Sequence, residues 1–214
     1  MAKLVTDESK NTRTHQEIRA ENERAILKAA EAVFVAHGLK GATMQAIADL
    51  AGIPKANVHY YYQSKKKLYI AVLTSIVEDW NTGLEDIHED SDPKQSLETF
   101  IRLKLDSAFN HPNHHKLFAV EVINGAPYLH QLMTTKMNQW AERKSAVIKS
   151  WYDQGKISIN DPLQLLILIW TTTQRYAEFD TEILNLFGKD AYDDEDKKRV
   201  AEFLIPFILR GCGL

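Results

Sequence analysis

Apolar residues recur at spacings of three and four along nearly the whole 214-residue chain, as in helices that each bury one face. The first such face is formed by Ala25, Ile26, Ala29, Ala30, Val33 and Phe34. No segment shows a convincing strand-like alternation, so the pattern predicts an all-α protein. The apolar content of 44% and the charged content of 26% are those of an ordinary globular protein.

Glycine, proline and capping residues divide the chain into predicted helices. The first helix should run from about Gln16 to His37, with Gly38 as its left-handed cap. Short helices should follow at Met44–Ala51 and from Pro54 or Lys55, and longer ones from Ser64 to the C-terminus. The predicted organisation is a flexible tail over 1–15, a helix-turn-helix domain over 16–63 and a helical body over 64–214.

The segment from Thr43 to Tyr62 has the features of a helix-turn-helix. Gly52 can adopt the turn between two short helices. Their angle should be held by four apolar residues, which are Ile47, Leu50, Ile53 and Val58. The second helix would then present to a major groove the side chains of Lys55, Ala56, Asn57 and Tyr60.

The distribution of charge agrees with a DNA-binding head. Residues 1–75 contain 11 Lys and Arg against 7 Asp and Glu, whereas residues 76–214 contain 15 against 22. Phosphates would therefore attract the head and not the body. Phenolic hydroxyls and three lysines in Tyr60–Lys67 suit phosphate oxygens. Taken singly, each of these features is also compatible with a purely structural role.

The sequence GATMQAIADLAGIPKANVHYYYQSKKKLYIAVL resembles the head of TetR-family regulators, and residues 22–75 match this head without gaps. The resemblance implies a three-helix head on a larger helical body that binds a small effector and forms a homodimer on a palindromic DNA operator. It places Gln45, Lys55, Ala56, Asn57 and Tyr60 on base- or groove-facing positions. It places Thr43, His59, Tyr61 and Lys65 on phosphate-facing positions. His59, Tyr62 and Gln63 replace the usual Tyr, Phe and Pro.

The body resembles that of the pyrimidine-utilisation repressors (RutR type) within the same family. The matching segments over residues 68–210 are LYIAVL, FIRLKLD, LFAVEVINGAPYL, KSAVIKSW, DPLQLLILIWTTTQRYAEF and FILRG. This resemblance implies that uracil or thymine binds in the body and releases DNA. Arg175 replaces the histidine usual in that group.

A planar pyrimidine needs aromatic faces and a few amide partners in an apolar pocket. Trp170 and Gln174 are four residues apart on one helix face, and a glutamine amide can match an imide edge. Together with these two, the candidate ligand residues are Trp80, Phe118, Glu121 and Tyr176. The alternative for each of them is core packing alone.

The helices after Asp161 and Asp196 carry apolar residues that could form a dimer interface or belong to the core of one chain. The candidates are Leu163, Ile167, Phe203, Phe207 and Ile208. His111, His114 and His115 form a weak metal-like cluster that we interpret as a solvent-facing turn. We predict no catalytic residue, metal or cofactor.

The chain has one cysteine, no apolar run of about 20 residues and no signal-like N-terminus, which predicts a cytoplasmic protein without membrane contact. Three alternatives to the pyrimidine-responsive repressor remain open. The first is a repressor of the same family with a different, lipophilic effector. The second is an enzyme of nucleobase metabolism, and the third is a helical interaction module that does not bind DNA.

Overall fold

A computed structural model of the chain describes residues 14–82 and 87–214, without the side chains of residues 81 and 82. Most of the predicted tail, residues 1–13, lies outside the described residues. The chain forms two compact units, which divide after Leu68. The first unit contains α1 (His15–Gly41), α2 (Met44–Ala51), α3 (Lys55–Tyr62) and the first turn of α4 (Lys65–Thr82).

Helix α1 begins at a capping box, in which Thr14 and Glu17 bond to each other's backbone N–H groups. The chain leaves helical geometry at Gly38 (φ 63°, ψ 173°) and makes one more turn before Ala42. The predicted interruption at Gly38 and its positive φ are confirmed, but its extended ψ is not that of the predicted left-handed cap, and helix resumes beyond it. The core of this unit is formed by Ile26, Ala30, Phe34, Ile47, Val58 and Leu68, each no more than 1% exposed.

The second unit contains the rest of α4 and seven further helices among the described residues. They are α5 (Pro93–Asn110), α6 (Pro112–Ile123), α7 (His130–Leu132), α8 (Asn138–Asp153), α9 (Pro162–Glu178), α10 (Asp180–Phe187) and α11 (Asp194–Gly211). Pro93 and Pro162 occupy first-turn positions behind capping aspartates, as expected from the sequence. Within the described part of the chain there is no strand, which confirms the all-α prediction.

The segment His111–Asn113 is predicted to end a helix near Asn110, and α5 does end there; the break is short, because Pro112 opens α6 directly from a first-turn position that suits proline. The sequence also predicts a helix from Pro127 to Trp151 or Tyr152. Helix begins at His130 instead, and a π-helical segment at Met133–Met137 lies between α7 and α8. Here Thr134 and Thr135 donate their hydroxyls to the carbonyls of His130 and Gln131.

Helix α9 organises the second unit, because it packs against α5, α6, α8 and α10. Its buried residues are spaced for one continuous face: Leu165, Leu166, Ile169, Thr173 and Ala177. Helix α11 packs against α5 from another direction. The largest fully buried side chain described is Trp151, which donates its indole N–H to the Glu89 carbonyl at 3.1 Å.

Helices α9 and α11 also carry apolar side chains that this single chain leaves exposed. Phe203 and Phe207 are 65% and 61% exposed, and their rings stack with centroids 6.0 Å apart. Leu163 and Ile167 are 46% and 37% exposed. For Ile208, the alternative of core packing within one chain is confirmed, because it is 3% exposed and belongs to the core of this unit. None of the helices in the described ranges is long and apolar enough to cross a membrane.

The connection between α3 and α4 is a three-residue turn centred on Gln63. This residue has φ 57° and ψ −38°, and the Ser64 N–H donates to the Tyr62 carbonyl at 2.5 Å across it. These values are those of a γ-turn with positive φ, which strains any side chain that has a Cβ atom. The turn therefore stores strain at the end of the predicted recognition helix.

We expect Gln63→Gly to raise the free energy of unfolding by about 1 kcal/mol. Glycine removes the strain of a Cβ atom at positive φ, and this gain exceeds the extra backbone entropy that glycine loses on folding. Thermal unfolding at matched protein concentration measures this change. Gln154 is a suitable control, since it has an ordinary φ of −81° at the end of α8. Gln154→Gly should lower stability, and a Gln63→Gly protein no more stable than wild type would contradict the strain.

Candidate nucleic-acid interface and ligand cavity

The angle between α2 and α3 is fixed by local geometry that the sequence predicted. The Thr43 hydroxyl accepts the Ala46 N–H at 3.0 Å and so caps α2. Gly52 ends that helix in the left-handed conformation, with φ 66° and ψ 27°. Ile47 and Val58 are fully buried between the helices. Leu50 was expected to join them, but it is 60% exposed because it lies on the outer side of α2.

Helix α3 presents the predicted groove-facing residues to solvent. Lys55, Ala56, Asn57 and Tyr60 are exposed, and Tyr60 is the most exposed of them at 75%. Gln45 is exposed on α2 and donates to the Asp49 carboxylate at 2.7 Å. The first turn of α3 has no side-chain cap. Its side chains can therefore meet base edges, because only Val58 of this helix is buried.

The predicted phosphate-facing residues differ in exposure and in whether their polar groups already have hydrogen-bond partners. Thr43 and His59 are exposed, and the His59 Nδ1 lies 3.4 Å from the Gln63 carbonyl. The half-buried Tyr61 hydroxyl accepts from the Asn22 amide at 3.3 Å, so it keeps its own hydrogen for another acceptor. The Lys65 ammonium instead donates to the carbonyls of Lys40 and Ala42, at 3.0 and 2.7 Å. Lys65 thus joins the start of α4 to the end of α1, with one N–H left over.

In the second unit, a cavity of about 90 Å³ collects side chains from six different segments. Its walls are Val77 and Trp80 of α4, Lys104 of α5, Phe118 of α6, Met137 of the π-helical segment, Trp140 of α8, and Trp170 and Gln174 of α9. Four of the predicted ligand residues, Trp80, Phe118, Trp170 and Gln174, therefore lie together around one space. The sequence alone could not show that they meet.

Aromatic rings dominate the cavity walls. Trp80 meets Phe118 edge-on with ring centroids 5.0 Å apart, and Trp140 lies 5.7 Å from Trp170 at an interplanar angle of 36°. The indole N–H groups of Trp80 and Trp140 are buried and have no hydrogen-bond acceptor among the described residues. Buried donors without partners are rare in proteins, so these two indoles are suited to bonding a ligand.

Sequence reasoning missed three cavity residues that have polar or polarisable groups, namely Lys104, Met137 and Trp140. A signal for Lys104 was present, since it follows Leu97 and Ile101 along the apolar face of α5. It is 5% exposed, and its ammonium lies 4.7 Å from the centroid of the Trp80 ring. For Met137, the signal would have been the π-helical turn, which the sequence pattern does not reveal.

Two predicted ligand residues are not among the described residues that line the cavity. Glu121 is buried, and its carboxylate accepts from the Tyr69 hydroxyl at 3.0 Å and from the Tyr128 N–H at 2.6 Å. Burial and the neighbouring carboxylate raise the pKa of Tyr69 above its usual value. Tyr176 packs its ring 5.7 Å from that of Phe109. Both residues have protein partners, and their contact with a ligand stays a prediction.

The histidine cluster and Arg175, which the sequence also singled out, both lie within the described residues. The segment His111–His115 is not a solvent-facing turn throughout, because His115 is fully buried in α6 with its Nε2 3.1 Å from the Ser107 hydroxyl. Burial lowers the pKa of His115 to about 3, so the ring is neutral. Among the described residues, no three His, Cys, Asp or Glu side chains come together as metal ligands. Arg175 pairs with Glu182 and covers the Phe179 ring.

Each of the two units of the chain matches a known protein family. Residues 26–72 match a family described as bacterial regulatory proteins of the tetR family, and residues 73–214 match the C-terminal region of YcdC-like proteins. The chain is 36% identical over 188 residues to the HTH-type transcriptional regulator RutR of Escherichia coli, covering 88% of this chain and 89% of the relative.

Solved structures show the same fold at lower identity. The ketosteroid transcriptional regulator KstR2 of Mycobacterium tuberculosis has a TM-score of 0.69 at 17% identity, covering 89% of this chain and 94% of its own. AibR, solved with isovaleryl coenzyme A and operator DNA, has a TM-score of 0.65 at 15% identity, covering 87% and 97%. From the family matches over both units and the identity to RutR, we conclude that the protein belongs to the TetR family of bacterial transcriptional regulators.

Proposed function

We propose that the protein is a repressor that binds operator DNA through α3 and releases it when a pyrimidine base, such as uracil or thymine, occupies the body. Regulators of this family bind operator DNA and small effectors, and they are dimeric. The observation that carries the proposal is the cavity of about 90 Å³ with aromatic walls and one amide side chain, Gln174. The 36% identity to RutR supports the same effector class.

The size of the cavity favours a small ring. An engineered cavity of roughly 150 Å³ holds benzene, so a space of about 90 Å³ admits at most one small planar ring, and its walls must move outwards to hold a pyrimidine base. A lipophilic effector would need a larger space without polar groups. Lys104 and Gln174 among the walls therefore count against the alternative of a lipophilic effector.

The polar groups of the cavity match a pyrimidinedione. Such a ring has two carbonyl oxygens and one N–H between them. The unpartnered indole N–H groups of Trp80 and Trp140 can donate to the carbonyls, and the Gln174 amide can both donate and accept at the imide edge. The indole and phenyl faces supply stacking and exclude water, which strengthens these hydrogen bonds.

Helix α4 offers a route from the effector to DNA. Two residues, which include the γ-turn at Gln63, separate α3 from α4, and further along α4 supplies Val77 and Trp80 to the cavity. A ligand that binds more tightly to the DNA-released form shifts the protein towards that form. A coupling of about 1–3 kcal/mol would weaken DNA binding by about 5- to 150-fold.

The second protomer needed by a palindromic operator would use the exposed apolar side chains of α9 and α11. Phe203, Phe207, Leu163 and Ile167 are exposed on these helices, as an interface between chains requires. We propose that they form the dimer contact, which sets the distance between the two α3 helices and hence the half-site spacing.

For the DNA contact, we expect Asn57→Ala to lower operator affinity by about 1–3 kcal/mol and to relax the base preference at one position of each half-site. The slope of affinity against salt concentration should not change, because the variant keeps its phosphate contacts. Fluorescence anisotropy with operator and scrambled DNA measures both. Asn185→Ala on the exposed surface of α10 is the matched control. Wild-type affinity in Asn57→Ala would refute the role of Asn57.

For the effector, we expect uracil or thymine to change the tryptophan fluorescence and to reduce operator binding in a gel-shift assay. Gln174→Leu keeps the volume but removes the amide, so it should weaken pyrimidine binding by about tenfold or more. Gln95→Leu, on the exposed surface of α5, should leave binding unchanged. If neither base alters operator affinity of the wild-type protein, the effector assignment is wrong.

A further inference from the structure

Lys104 is a buried cation without a bonded counter-ion. It is 5% exposed on the apolar face of α5, and it lines the ligand cavity. Its ammonium lies over the Trp80 ring at 4.7 Å, but it has no hydrogen-bond acceptor or ion-pair partner among the described residues. A buried charge in such a position is costly unless something pairs with it.

Lys104 also borders a second cavity that Asp79 and Asp106 line, but no carboxylate among the described residues forms an ion pair with it. The half-buried Glu178 of α9 attracts it through space, without an ion pair. Burial outweighs this attraction and lowers the pKa of Lys104 to about 8. On the side of α6, the buried ring of His115 is neutral and brings no negative charge. The ammonium is therefore still protonated for the most part at neutral pH, with donors left for a ligand.

The cavity as a whole has more hydrogen-bond donors than acceptors. Lys104 and the indoles of Trp80 and Trp140 can only donate, whereas the Gln174 amide oxygen is the one strong side-chain acceptor among the described cavity residues. A ligand that satisfies these groups must offer several acceptor oxygens and few N–H groups. A ring that has lost its acidic proton meets this demand better than the neutral ring does.

We propose that Lys104 is the charge-selective anchor of the cavity and that the effector binds as an anion, an ionised oxo-pyrimidine or a similar planar ring acid. This inference rests on the proposed function in one respect, namely that the cavity is the effector site. The ionised oxygen accepts from the Lys104 ammonium, and the ring lies against the tryptophan faces. A charge-assisted hydrogen bond of this kind is about twice as strong as a neutral one.

The test compares pyrimidines of nearly equal size and increasing acidity on the full-length wild-type protein. Uracil is neutral at neutral pH, 5-fluorouracil has a more acidic imide, and barbiturate is an anion. We expect affinity, measured by calorimetry at one pH, to rise in that order. Barbiturate should bind at least about tenfold more tightly than uracil.

Three variants separate charge from shape. Lys104→Met keeps an unbranched side chain only one atom shorter but loses the charge, so the ratio of barbiturate to uracil affinity should fall to about one. Lys104→Arg keeps the charge and should preserve the order of affinities. Lys94→Met removes an exposed lysine from the same helix and should leave the ratio at its wild-type value. Circular dichroism checks that each variant is folded. If Lys104→Met does not fold, the series of affinities on the wild-type protein still decides whether an anion is preferred.

The outcomes distinguish this inference from the proposed function. Uracil binding equal to or tighter than barbiturate binding would overturn the anionic ligand but leave a pyrimidine effector in place. Binding of benzoate, with no binding of any pyrimidine, would overturn the pyrimidine effector but support the cationic anchor if Lys104→Met abolishes it. A wild-type ratio retained in Lys104→Met, or lost in Lys104→Arg, would show that Lys104 is not the anchor.

Discussion

The burial of one face of α9 is the constraint on which the second unit depends. This helix contacts α5, α6, α8 and α10, so a change in its position would move most of the cavity walls. Thr173 lies within this face and is fully buried, but its hydroxyl donates to the Ile169 carbonyl at 2.7 Å. The helix can therefore hold a polar residue in the core without an unsatisfied group and still present Trp170 and Gln174 to the cavity.

The two units differ in the hydration of the polar side chains at their candidate sites. The first unit leaves the start of α3 exposed, so the side chains of Lys55 and Asn57 are hydrated there. The second unit withdraws Lys104 and two indole N–H groups from water before any ligand is present. Folding has already removed water from these groups, so a ligand that pairs with them must give up only its own hydration and its freedom of motion. A small ring can thus bind tightly in spite of its small area.

Local features were predictable from the sequence, and features that depend on tertiary contacts were not. Thr43, Gly52 and Pro162 act on their own helices, and their caps and turns lie where the sequence indicated. The fates of Leu50, Glu121 and Ile208 depend on which face a neighbouring helix covers, and spacing alone leaves this undecided. The cavity itself brings together residues almost 100 positions apart, so a resemblance could suggest its ligand but could not identify Lys104 as a wall residue.

The γ-turn at Gln63 has a consequence for exchanging heads between members of this family. Many relatives are expected to have proline at this position, and a proline ring fixes φ near −65°. The backbone here has φ 57°, so it cannot accept that ring without redirecting the chain as it leaves the recognition helix. A chimaera that joins this body to a proline-containing head would then inherit a different exit direction, and its two reading helices would fit a different operator spacing.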